Sequence, residues 1–321
     1  QSLIIIGPTA INHNQASAIE CLAQLVQGAQ QQIKMGFFPH GCNHLGAIQA
    51  GFLPNRGQAG QPLKSKGQHA LTILQEQKRL YWLHEVHPIL EVVHPNLMTK
   101  SLSHADTVVS LSMFDSPTIR RYATHLLPIT PFTENTGSYI NMLGKTQHYQ
   151  AAVQPYQESW PAWKIYLELA KKLKLPEAAM MKTLSDVQDH LANITPPFSV
   201  SSKVDTSLLA ALHQETSPLT RVSYWPMYRL DALTRHAQSL QKCLDPVEKI
   251  IKINSKTAKK YDLLNQDYAH LIQGEYQTDL PLIIDDRIAD DTVYIPAGFI
   301  ETAKLDKNMG PITIKRSSYA H

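Results

Sequence analysis

Residues 123–147 read ATHLLPITPFTENTGSYINMLGKTQ, and the fold assigned to the chain depends on how this stretch is parsed. It opens with a short apolar run of strand-like composition, His125-Leu126-Leu127-Pro128-Ile129. Pro128 has no N–H to give to a ladder and marks where that strand ends. A polar loop, Thr133-Glu134-Asn135-Thr136-Gly137-Ser138, leads to a second extended piece, Tyr139-Ile140-Asn141. Gly144-Lys145-Thr146 then imitates the end of a phosphate-binding loop. Such a loop needs the spacing G-x-x-x-x-G-K, so that successive N–H groups can curl around a phosphate. Here six residues separate Gly137 from Gly144, and bulky Tyr139, Ile140, Met142 and Leu143 fill the interval. The spacing argues against a nucleotide loop.

Upstream, Leu3-Ile4-Ile5-Ile6 followed by Gly7-Pro8 is a β-branched run ending in a turn, the pattern of a buried parallel strand. Ala18, Leu22, Leu25 and Val26 recur at helical spacing within 15–33, so a strand followed by a helix predicts a βα unit of a doubly wound α/β sheet. Gly7-Pro8-Thr9-Ala10 lacks the second and third glycines of a dinucleotide fingerprint, and Pro8 removes an N–H that a phosphate would use. Further along, a helix is predicted over 68–77, strands over 79–83 and 107–111, and a helix through Tyr122 started by a Ser116 cap and Pro117. Beyond residue 147, helices are predicted from Glu158 to Leu173, over 177–191 and over 207–213.

The composition is that of a folded globular chain, with 43% hydrophobic and 18% charged residues over 321 positions. That length suits two domains, since single cores stop growing near ~250–300 residues. No apolar run approaches the roughly 20 residues that span a bilayer, so direct membrane insertion is not expected. The formal charge of +3 is spread along the chain apart from Lys256, Lys259 and Lys260, which gives no footprint for nucleic acid. Cys21, Cys42 and Cys243 form no Cys-x-x-Cys pair, so they make neither an iron–sulfur site nor a structural zinc site by themselves, and a reducing, cytoplasmic setting is expected. His84-Glu85-Val86-His87 has its histidines three apart after a strand, and His40 and His44, four apart, sit in a glycine-rich loop. Neither fits the helical zinc pattern, and with 15 histidines such pairs arise by chance.

From Asp245 onward the character changes. Strands are predicted at 250–254, 268–272, 277–282, 293–295 and 312–314, with a short helix over 256–261 and a turn at Pro296-Ala297-Gly298. Regularly spaced strands of this kind suggest a closed barrel.

Several of these segments carry a resemblance. The order Leu127-Pro128, Phe132, Glu134, Gly137, Asn141, Gly144, Lys145 and Gln147 resembles the molybdopterin oxidoreductase superfamily, and within it the large iron–sulfur subunit of NADH:quinone oxidoreductase, respiratory complex I. Gly41, Asn43, Gly46-Ala47 and Gly51-Phe52-Leu53-Pro54 are similar to a second motif of that subunit. Pro161-Ala162-Trp163-Lys164-Ile165 followed by Glu168-Leu169-Ala170 is similar to a third. Residues 225–240 resemble its connector helix, and Tyr294-Ile295-Pro296-Ala297-Gly298 resembles the double-psi barrel that closes molybdopterin enzymes.

The resemblance implies a Rossmann-like doubly wound domain of the formate dehydrogenase/DMSO reductase type over 1–195, a helical connector over 196–245 and a double-psi β-barrel-like domain over 246–321. It implies a C-terminal structural segment of the complex I subunit, supporting electron transfer from NADH to quinone in the respiratory chain without redox centres or catalytic residues of its own. Its iron–sulfur clusters would lie in a preceding portion and its partners would be other peripheral-arm subunits. Its place would be peripheral, on the cytoplasmic side of the inner membrane. Asn43, Gly46, Glu134, Gly137, Asn141, Gly144 and Gln147 would line a vestigial pterin-like cleft. Leu143 and Lys145 replace the Glu and Arg of many relatives, which implies that molybdopterin has been lost. The alternative is a fragment of an active molybdopterin-dependent, formate-dehydrogenase-like oxidoreductase.

Overall fold

The computed structural model describes residues 2–11, 13, 15–30, 32–38, 41–194, 206–211, 217–243, 250–305 and 307–318. His40, Pro196-Pro197, residues 212–213 of the expected 207–213 helix and Asp245 lie outside them. The N-terminal strands in chain order are β1 (Ser2–Ile6), β2 (Ile33–Phe37), β3 (Leu80–His84), β4 (Thr107–Ser112), β5 (His125–Pro128), β6 (Gly137–Ile140) and β7 (Thr146–Tyr149). They form a β1-β2 pair, a β3-β4-β5 sheet and a β6-β7 hairpin. The chain divides into two compact units. One contains Gln1–Ile73, Leu111–Met113 and Leu127–Leu212; the other contains Leu74–Ser110, Phe114–Leu126 and His213–His321.

In the first unit, β1 and β2 pair in parallel from Ser2↔Ile33 to Ile6↔Phe37, and the helix Ala16–Ala29 joins them, which is the expected βα unit with its second strand. Ile6 is buried, but Leu3 and Ile5 are 61% and 53% exposed. The expectation of a strand buried on both faces is therefore corrected: one helix and one neighbouring strand do not cover both faces of β1. The β6-β7 hairpin is antiparallel from Gly137↔Tyr149 to Ile140↔Thr146. The helix expected from Glu158 begins only after Pro161, at Ala162, and runs to Lys172, because a proline cannot donate an N–H inside a helix; 177–191 holds two helices, Pro176–Ala179 and Leu184–Ile194.

The second unit holds β8 (Thr220–Val222), β9 (Ile251–Ile253), β10 (Tyr268–Gln273), β11 (Tyr276–Ile284), β12 (Thr292–Tyr294), β13 (Gly310–Pro311) and β14 (Thr313–Arg316). They join in the order β13-β8-β12-β9-β11-β10-β14, a nearly closed, barrel-like sheet of mixed direction. Alternation along β10, with Ala269, Leu271 and Gln273 buried between partly exposed neighbours, is the period-two signature of a one-sided core. Ile251, Ile253, Ala269, Leu271, Val293 and Ile295 are fully excluded from water and form the core with Leu263, Leu305 and Ile314. Arg221 lies inside this unit, fully buried. Its Nε donates to Ser223 Oγ (3.0 Å) and its Nη1 to Gln273 Oε1 (3.0 Å).

Within the same unit, the helix Pro117–Tyr122 is capped as the sequence predicts, Ser116 Oγ accepting from Ile119 N at 3.1 Å. The stretch 225–240 does not form one connector helix. It breaks into a 3-10 turn, Met227–Arg229, and two short helices, Ala232–His236 and Gln238–Lys242. Asp231 starts the first of these by accepting from Thr234 N at 2.8 Å, so a local cap outcompetes the longer apolar periodicity.

Candidate functional site

The β6-β7 hairpin collects most of the residues singled out in the sequence. Asn141 Oδ1 accepts from Leu143 N and Lys145 N, both at 3.0 Å, while its Nδ2 donates to Gln147 Oε1 at 3.1 Å. Gly144 N donates to Asn141 O (2.9 Å), and Gly144 has a φ of +75°, a left-handed conformation that costs an L side chain energy. Asn141, Gly144 and Gln147 thus build one hydrogen-bonded turn. Gly144-Lys145-Thr146 is the end of that turn and the start of a strand; no helix follows to present N–H groups to a phosphate.

Gly137 faces Tyr149 across the hairpin, and a Cβ there would come within 2.7 Å of the Tyr149 hydroxyl. The space is used by aromatic packing, since the rings of Tyr139 and Tyr149 stack with centroids 4.9 Å apart. Burial pushes the Tyr139 phenol up to about 12, helped by the neighbouring Tyr149 and Cys42.

Asn43 and Gly46 reach the hairpin from the helix His44–Gln49. Asn43 stands in the N-cap position of that helix but does not cap it with its side chain; its Oδ1 accepts from Ile140 N of β6 at 2.9 Å. A Cβ on Gly46 would fall inside the Asn43 carboxamide, so glycine at 46 is what lets Asn43 make this bond. The seam between the helix and β6 borders a pocket of about 240 Å³ whose walls include Phe38, Cys42, His44, Leu45, Ile140 and Met142.

Glu134 is placed differently. Its Oε2 accepts from Tyr156 N at 2.8 Å and holds the loop after β7, where Ala152 N also donates to Thr133 O at 2.8 Å. Its carboxylate serves that loop and not the Asn43–Asn141 seam.

Sequence reasoning did not single out Cys42 and Met142 as pocket residues, nor the Tyr139–Tyr149 stack. The stack had a readable signal: two tyrosines flanking a Gly-containing turn at matching distance. Among the described residues, two buried polar atoms, Thr130 Oγ1 and Trp163 Nε1, have no hydrogen-bond partner.

His87 is engaged by its own turn. His87 Nδ1 accepts from Ile89 N (3.3 Å) and Leu90 N (3.2 Å), and the His87 backbone N–H donates to Glu91 Oε2 (2.7 Å). Burial lowers the pKa of His87, with the Arg235 guanidinium acting in the same direction, and burial also lowers that of His84. Among the described residues no three His, Cys, Asp or Glu side chains gather as metal ligands.

An α/β unit and a barrel-like mixed sheet define the class. The molybdopterin oxidoreductase family profile matches residues 1–172, more than half of the chain, and the chain belongs to that family. A putative formate dehydrogenase of Staphylococcus aureus (strain MRSA252) is 32% identical over 78 residues, 24% of this chain and 8% of that protein. An NADH-quinone oxidoreductase subunit of Rickettsia felis is 28% identical over 130 residues, 39% of this chain and 19% of that one. The chain therefore matches less than a fifth of the length of these curated relatives. Among solved structures, acetylene hydratase from Pelobacter acetylenicus shares the fold with a TM-score of 0.54 at 12% identity, over 86% of this chain and 51% of the other.

Proposed function

We propose that this chain is a structural segment of a complex-I-type NADH:quinone oxidoreductase. It would pack beside the electron-carrying subunits and support electron transfer from NADH to quinone without redox centres of its own. The observation that carries this reading is the use of the hairpin's polar groups by the chain itself. Asn43 Oδ1, both ends of the Asn141 amide, Gln147 Oε1 and Glu134 Oε2 all close internal turns and seams. A pterin cofactor needs such groups turned toward it, and a set already engaged in this way fits that role poorly. The relation to the Rickettsia oxidoreductase subunit supports the same assembly.

In this reading the α/β portion is a doubly wound domain, the iron–sulfur clusters belong elsewhere in the assembly, and the partners are other peripheral-arm subunits. The location is peripheral, on the cytoplasmic side of the inner membrane. No described helix is long and apolar enough to cross a membrane.

A second reading, part of an active formate-dehydrogenase-like oxidoreductase, draws on the 32% identity to the staphylococcal protein. Metal analysis and subunit composition of the purified protein separate the two. The scaffold reading expects co-purification with NADH-oxidising subunits and no stoichiometric molybdenum or tungsten. One molybdenum or tungsten per chain together with formate oxidation would overturn it.

A further inference from the structure

We propose that Cys42, His44 and Met142 form a binding site for a soft monovalent cation, Cu(I). The three residues line the same pocket of about 240 Å³, and their side chains carry a thiol, an imidazole and a thioether. Their grouping is built into the local structure. The Asn43 Oδ1 bond to Ile140 N pins the residue between Cys42 and His44 against β6, two positions before Met142. Gly46, lacking a Cβ, leaves room for that carboxamide. The two segments are 97 residues apart in sequence, so the donor set exists only in the folded chain.

The chemistry of the donors selects the ion. Thiolate and thioether sulfur favour Cu(I) over hard divalent cations, and imidazole suits copper as well. Among the described residues no Asp or Glu lines the pocket, so the oxygen ligands that magnesium, calcium or manganese prefer are not among its walls. Charge points the same way. One thiolate neutralises one monovalent cation, so the loaded site is uncharged against the apolar walls of Phe38, Leu45 and Ile140, whereas a divalent ion would leave a net positive charge there. On binding, the Cys42 thiol releases its proton to solvent as the sulfur–copper bond forms. His44 and Met142 donate lone pairs, and no electron is transferred. Cys42 is exposed, so metal can reach it from solution. This site is independent of the scaffold reading.

The test is an anaerobic titration of the purified protein with Cu(I) in competition with bicinchoninate, read in the near-ultraviolet thiolate-to-copper band. The expected result is one Cu(I) per chain, lost in Cys42→Ser and kept in Cys243→Ser, which removes the other exposed thiol. His44→Ala and the volume-conserving Met142→Leu should each weaken binding by at least about tenfold. Affinity unchanged in both of these variants would show an ordinary surface thiol and overturn the proposal. So would loss of copper in Cys243→Ser, or a preference for Zn(II) over Cu(I).

Discussion

The barrel-like sheet and the β1-β2 pair use the same kind of strand and treat it in opposite ways. In β9, Ile251 and Ile253 are excluded from water because parallel β11 lies on one side, antiparallel β12 on the other, and the sheet curls over them. In β1, which is as β-branched, Leu3 and Ile5 remain more than half exposed beside a single partner strand. Strand propensity therefore reports willingness to be covered; sheet closure decides whether covering occurs.

The largest expected effect tests that contrast. Ile253→Ala should cost about 2–5 kcal/mol, as for a large-to-small change in a closed core, and Ile5→Ala below about 1 kcal/mol. Both are measured as the urea unfolding midpoint, and equal losses would end the distinction. Next in size is Gly46→Ala, whose Cβ collides with the Asn43 carboxamide and leaves Ile140 N without its acceptor, a cost of about 1–3 kcal/mol. Loss of protection at the Ile140 amide in hydrogen exchange reports it directly. Gly144→Ala forces a side chain into the left-handed region and should cost about 1 kcal/mol in thermal unfolding, with Gly144→Asn milder.

The smallest effect concerns pH. The folded pKa of Tyr139, about 12, lies above the ordinary tyrosine value of 10.0, so its contribution to stability is complete below pH 10 and disappears as pH rises toward 12. Absorbance at 295 nm should show one late-ionising tyrosine that Tyr139→Phe removes. A titration unchanged by that substitution would mean that the hairpin does not shield the ring.

Much of the fold was legible because its signals are local. The Ser116 cap, Pro128 at the end of β5, the apolar helical face through Ile165 and Leu169, and the alternation in β10 each follow from residues within a turn or two of one another. What escaped was whatever depends on a partner. β13 has two residues and β8 three, too few for a periodic pattern; they are strands because the barrel-like sheet supplies a neighbour. The expected connector helix broke for the opposite reason, a local Asp231 cap that the apolar spacing concealed.

At the candidate site, Asn141, Gly144 and Gln147 could be read together because one turn joins them, and the mismatch of Gly137 and Gly144 with a phosphate loop was a matter of counting. Family membership was also readable, because motif order survives without knowledge of contacts. Only the tertiary structure decided that Asn43 serves β6 and does not cap its own helix, that Glu134 holds the loop at Tyr156, and that Cys42, His44 and Met142 share a pocket. The physical reason is range: turn geometry and capping are settled by neighbours in the chain, whereas the partner of a polar side chain is chosen by whatever folding brings beside it.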